Sequence, residues 1–188
     1  QFGEAQRVLH DFLWSEYCDW YIEMSKLRLR SEDGPSPLPV LAQVLESILR
    51  LLHPFMPFIT EEIWQALVEK LPDDSQRPDA IMVAAYPQRD AALIDPLAET
   101  DVESVIELVR AIRNLRAEFK LDPSLSLEAV VRAPGNTRAF AAEAAVIETL
   151  AKVEPLILSE DPMPEASNDQ VVLVLEQGTV TVPLTGLI

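Results

Sequence analysis

The chain has 188 residues, 48% of them hydrophobic, a single cysteine and a formal net charge of −16. That apolar content suffices for a sizeable core, in one domain or two small ones, and excludes disorder of the whole. A lone cysteine cannot close an internal disulfide, so the stapled secreted class is excluded and an intracellular, cytoplasmic setting is the simplest reading.

The chain opens inside an apolar rhythm, without Met, and its sequence ends on "VPLTGLI", so it reads as a fragment. Phe2, Ala5, Leu9, Leu13, Tyr17, Trp20, Met24 and Leu27 step by three or four, one face of a long helix. Trp14, Cys18, Tyr21 and Ile22 widen that face, which predicts a helix enclosed by neighbours. "SEDGPSP" ends it. Leu41, Val44, Leu45, Ile48, Leu52 and Phe55 mark a second helix, stopping near His53 and Pro54. A third is expected from about Thr60, an N-cap with Glu61 and Glu62 in its first turn.

From Leu71 to Pro96 prolines recur and no period holds, which predicts an extended crossing segment. A fourth helix follows from about Leu97 to Lys120, with Val105, Leu108, Val109, Ile112, Leu115 and Phe119 facing inward. The rhythm changes after Asp122 and Pro123: "SLSLEAVVRA" reads as a strand, the alanine-rich stretch begun by Asn136 or Thr137 as a helix, and "EPLILSE" as a short strand. "QVVLVLEQGTVTVPL" reads as two strands joined by a tight turn at Gln177 and Gly178. The expected fold is α+β, mainly α. An antiparallel helical bundle fills residues 1–120, and a small α/β appendage fills 121–188.

Few residues suit chemistry. Glu16, Asp19 and Glu23 share one side of the first helix with Asp11 nearby, but carboxylates at helical spacing are ordinary on a solvated or ion-paired face. His10, His53 and Cys18 supply ligand types without C-x-x-C, H-E-x-x-H or a third ligand, so no metal site is expected and Cys18 reads as core. No catalytic residue is expected either: neither a phosphate-cradling G-x-x-x-x-G-K-[ST] nor a G-x-S-x-G is present.

Affinity for nucleic acid comes mostly from Lys and Arg releasing counterions, so a net charge of −16 confines any RNA reading to local patches. Residues 1–120 hold 12 basic and 21 acidic residues, and residues 121–188 only 3 and 10. RNA contact is therefore expected in the first segment. Arg110, Arg113, Arg116 and Lys120 fall within an arc of roughly 120° beside the apolar face of the fourth helix and can form a ridge of phosphate donors. Lys26, Arg28 and Arg30 end the first helix as a second cluster, which the helix dipole alone also explains. Trp14, Trp20 and Tyr21 could stack on unpaired bases, but core packing is the preferred reading, as it is for Trp64 and Phe55.

At "DFLWSEYCDWYIEMSK", "LRLLHPFMPFITEEIWQAL" and "IRNLRAEFKLDPS" the sequence resembles the C-terminal part of the valyl-tRNA synthetases, class I aminoacyl-tRNA synthetases. "HPFMPFITEEIW" is shared with isoleucyl and leucyl relatives, whereas "EYCDWYIE" points to the valine family. The resemblance implies a helical anticodon-binding domain reading the anticodon stem-loop of a valine tRNA, whose adenine and cytosine identify it. It implies a parent enzyme that charges tRNA with valine using ATP with Mg, edits threonine elsewhere, and docks this module on its own catalytic domain, with neither membrane nor DNA as partner. The H-I-G-H and K-M-S-K-S signatures are absent here, and "EMSK" at 23–26 lacks the preceding Lys and lies in a helix. No cofactor is expected in this chain. Upstream bundle helices and a cationic coiled coil after "VTVPLTGLI" are expected outside it. The other reading is an acidic helical module of the same fold that docks a protein and reads no tRNA.

Overall fold

The computed structural model describes residues 2–31, 34–72, 77–161 and 169–184. It is mainly helical with one four-stranded mixed sheet, and its chain divides into two compact units, 1–92 and 93–188. No helix among the described residues is long and apolar enough to cross a membrane.

In the first unit the opening helix is unbroken from Phe2 to Arg30 but changes winding. It runs α-helical over Phe2–Asp11 (α1), π-helical over Phe12–Ile22, and α-helical again over Glu23–Arg30 (α2). Helix α3 spans Leu38–Leu52 and α4 spans Pro57–Val68. Tyr17, Ile48 and Leu52 form one buried cluster, flanked by Leu9, Leu13, Cys18 and Tyr21. Leu49, Trp64 and Ile81 form a second. The Tyr17 hydroxyl donates to the Leu41 carbonyl at 2.8 Å, tying the π-helical stretch to α3.

Two expectations here are corrected. Helix α4 begins a turn before Thr60, with Pro57 in its first turn, where a fixed φ is already helical and a missing N–H costs nothing. Thr60 is buried inside the helix instead: its hydroxyl donates to the Met56 carbonyl at 2.8 Å and lies 2.8 Å from His53 Nδ1. With its one proton given to Met56, the hydroxyl accepts from His53, which fixes the imidazole proton on Nδ1. The second correction is Trp14. It is 54% exposed, whereas Trp20 and Tyr17 are buried and Tyr21 is half-buried, so the aromatic belt is enclosed on only part of its circumference.

The segment between α4 and the next long helix is irregular where described, with single 3₁₀ turns at Ile81–Val83 and Ala91–Leu93.

In the second unit, α5 spans Pro96–Glu118, capped by the Asp95 carboxylate, which accepts from the N–H groups of Leu97 and Ala98. Its apolar stripe, Val105, Leu108, Val109, Ile112 and Leu115, is fully buried. Helix α5 packs on α6 (Thr137–Ala142), α7 (Ala144–Ala151) and β3 (Gln170–Leu175). The change of rhythm at 122–123 and the division by packing thus fall at different places. The other strands are β1 (Leu127–Arg132), β2 (Val153–Ser159) and β4 (Gly178–Pro183). The sheet order is β2-β1-β4-β3, with β1 and β2 parallel and both other pairs antiparallel. Alternation places Leu127, Ala129 and Val131 of β1 in the core beside Val180 and Val182 of β4.

The alanine-rich stretch forms two helices rather than one, parted at Glu143, where φ −111 and ψ 22 leave the helical region, so packing overrides alanine's preference for one continuous helix. Ala139 and Phe140 are buried from the first helix, and Val146, Ile147 and Ala151 from the second. The hairpin turn is Glu176 and Gln177, one residue earlier than expected, because Leu175 pairs with Gly178 and leaves those two as the loop. Of the terminal "VTVPLTGLI", residues 185–188 lie outside the described residues.

Candidate nucleic-acid interface

The acidic face of the opening helix is solvated and ion-paired. Arg7 bridges Glu4 at 2.6 Å and Asp11 at 2.8 Å, Lys26 meets Glu23 at 2.6 Å, and Glu16 and Asp19 are exposed. No group of three His, Cys, Asp or Glu among the described residues could hold a metal ion. His10 is exposed beside Asp11, His53 is spent on Thr60, and Cys18 is half-buried against Tyr17, Ile48 and Leu52.

The first cationic cluster lies at the end of α2, where Lys26, Arg28 and Arg30 are all exposed. Two of its three members stand in the last helical turn, where the partial negative charge of unpaired carbonyls favours them. Lys26 pairs with Glu23 at 2.6 Å, an exposed contact of a kind that is weak and easily exchanged.

The second cluster, on the last turns of α5, is less uniform than its spacing suggested. Arg110 and Lys120 are exposed. Arg113 Nε donates to the Leu150 carbonyl at 2.8 Å, in the last turn of α7. Arg116 is half-buried and reaches three carbonyls: Leu125 at 2.7 Å, Asp122 at 2.9 Å and Lys152 at 3.5 Å. These two guanidiniums satisfy carbonyls at the end of α7 and in the loop after α5, groups with no partner in their own helix. Four cations therefore share one ridge, and Arg113 and Arg116 are among those bound to the protein itself. The Asp122 carboxyl beside them is held below the ordinary carboxylate range, chiefly by hydrogen bonds from the Ser124 hydroxyl and backbone N–H, with Lys152 and Arg116 adding attraction.

A feature that the sequence did not announce is a groove of about 1100 Å³ in the first unit. Leu41 and Leu45 of α3, Trp64 of α4 and Val83 line it, with Arg50, Lys70 and Arg77 among its polar residues. Its walls come from four separate stretches of chain, Tyr17 of the opening helix included, so no local pattern could reveal it. Arg50 is largely engaged, pairing with Glu46 and donating to the Ala85 carbonyl at 2.7 Å.

A family model described as the anticodon-binding domain of tRNA ligase matches residues 1–131. The valine–tRNA ligase of Dehalococcoides mccartyi (strain CBDB1) is 46% identical over the whole chain, which aligns with 21% of that protein. The valine–tRNA ligases of Symbiobacterium thermophilum and Thermotoga maritima are 40% and 36% identical, again over the whole chain and 22% and 20% of their own length. The chain thus spans about a fifth of the relatives it matches. On the family match, which covers both cationic clusters, the chain belongs to the anticodon-binding domains of tRNA ligases.

Proposed function

We propose that this chain is the tRNA-reading, non-catalytic part of a valine–tRNA ligase. The observation that carries the reading is the family match over residues 1–131, joined to whole-chain alignment with proteins of that name. Base-edge hydrogen bonds and stacking would discriminate the anticodon loop of a valine tRNA, while exposed cations of the α2 and α5 ends would position its stem. On this reading residues 1–120 read the tRNA as an antiparallel bundle completed by upstream helices, and 121–188 lead toward a coiled coil. The parent would be cytoplasmic and would attach valine using ATP and Mg held in its own catalytic domain, against which this module docks.

A second reading has one observation in its favour. Phe58 is 91% exposed, with Ile59 and Ile63 also exposed on α4, an apolar face of the kind that docks protein. Filter binding of valine tRNA against an off-target tRNA, at low and moderate salt, separates the two. Preferential retention of valine tRNA supports tRNA reading; equal retention of both, or none at either salt, counts against it.

A further inference from the structure

We propose that Lys120 contacts the RNA backbone, and that Arg113 and Arg116, its neighbours on the ridge, are positioning residues that hold the end of α5 in place. The inference rests on the tRNA reading and deepens it.

The end of α5 closes with a double hydrogen bond. The N–H of Leu121 reaches the Arg116 carbonyl at 3.0 Å and the N–H of Lys120 reaches that of Ala117 at 3.2 Å. This pattern requires a left-handed residue at position 120, and Lys120 has φ +50. Glycine is the usual occupant because a Cβ is crowded there. The backbone therefore gives no reason for a lysine.

The chain supplies its own control. Among the described residues the other non-glycine with positive φ is also a lysine, Lys152, at the end of α7 with φ +54. Its ammonium donates to the Pro123 carbonyl at 2.6 Å, so that side chain serves the fold. Lys120 is exposed and makes no side-chain hydrogen bond or ion pair among the described residues. A strained position occupied by a side chain that makes no hydrogen bond or ion pair in the fold points to a function for that side chain. A compact ammonium at the rim of a cationic ridge fits a phosphate oxygen. Arg113 and Arg116 differ: their guanidiniums already fill the carbonyls of Leu150, Asp122 and Leu125.

The test measures melting temperature and the salt dependence of valine-tRNA binding for Lys120→Gly and Arg116→Gln. Lys120→Gly should raise the melting temperature by about 2–4 °C. It should also weaken binding about 5–10-fold at low salt and make the slope of log K against log salt shallower by about 0.7–0.9, the signature of one lost phosphate contact. Arg116→Gln should lower the melting temperature and leave that slope unchanged in the cold. A Lys120→Gly variant that binds as the parent does, or that melts lower because the ammonium was serving the helix dipole, overturns the assignment of Lys120. A changed slope without lost stability in Arg116→Gln overturns the division of the ridge. If the unsubstituted chain does not bind valine tRNA, the reading beneath the proposal fails and the proposal with it.

Discussion

Both carboxylate oxygens of Glu107, in the middle of α5, accept the backbone N–H of Glu176 at 3.1 Å. A helix side chain thereby holds the turn of the β3–β4 hairpin. Replacing Glu107 with Ala removes an ionised acceptor from a partly exposed site, and the expected loss is about 1 kcal/mol. Urea unfolding checks it: the midpoint should fall with the slope unchanged, and an unmoved midpoint would mean that water replaces the carboxylate without cost.

Gly178 is required by its neighbour as well as by its own backbone, at φ +158. A Cβ there would stand 2.3 Å from the Arg132 carbonyl oxygen, a backbone atom that cannot swing away. Gly178→Ala should therefore force β4 away from β1 and destabilise by about 2–4 kcal/mol, in the range of overpacked cores and broken ladders. Thermal melting reads this directly. Gln177→Ala, in the turn itself, should leave the melting temperature within a degree or two.

Burial raises the pKa of the Tyr17 phenol above its usual value, with Cys18 and Tyr21 beside it adding to the effect. The neutral phenol is thus favoured in the folded state. Its contribution is fully present below the unfolded pKa of about 10 and is lost as pH rises through the higher folded value. Tyr17→Phe should cost about 1 kcal/mol at neutral pH, from the lost bond to the Leu41 carbonyl, and should flatten the fall in stability above pH ~10. Denaturant titrations at neutral and alkaline pH decide it; an unaltered alkaline slope would assign that fall to other groups.

Periodicity located most elements because a buried face must repeat at the helical or strand interval. Leu41 to Leu52 and Val105 to Leu115 face inward as their spacing implies. What spacing cannot encode is the partner. That α5 packs on α6, α7 and β3 depends on contacts between distant parts of the chain. The ridge shows the same limit: 110, 113, 116 and 120 do share a helix side, yet the carbonyls that occupy Arg113 and Arg116 arrive from residues 122–152. Local chemistry misled where two signals competed. Thr60 has the residue type of a cap, but Pro57 starts the helix first and leaves the threonine to bond inside it. Gly178 has the residue type of a turn, but the approach of Arg132 explains it. The rhythm of its neighbours places Trp14 with the core, yet it lies outside it.

The most direct measurement leaves the protein unchanged and alters only the RNA. Valine tRNA and the same tRNA with its anticodon adenine or cytosine replaced should be titrated against the chain under one salt condition. The account predicts affinity lower by about tenfold or more for each replacement, with an equal salt slope, since bases carry the discrimination and phosphates the attraction. Equal affinity for the native and altered anticodons would contradict it.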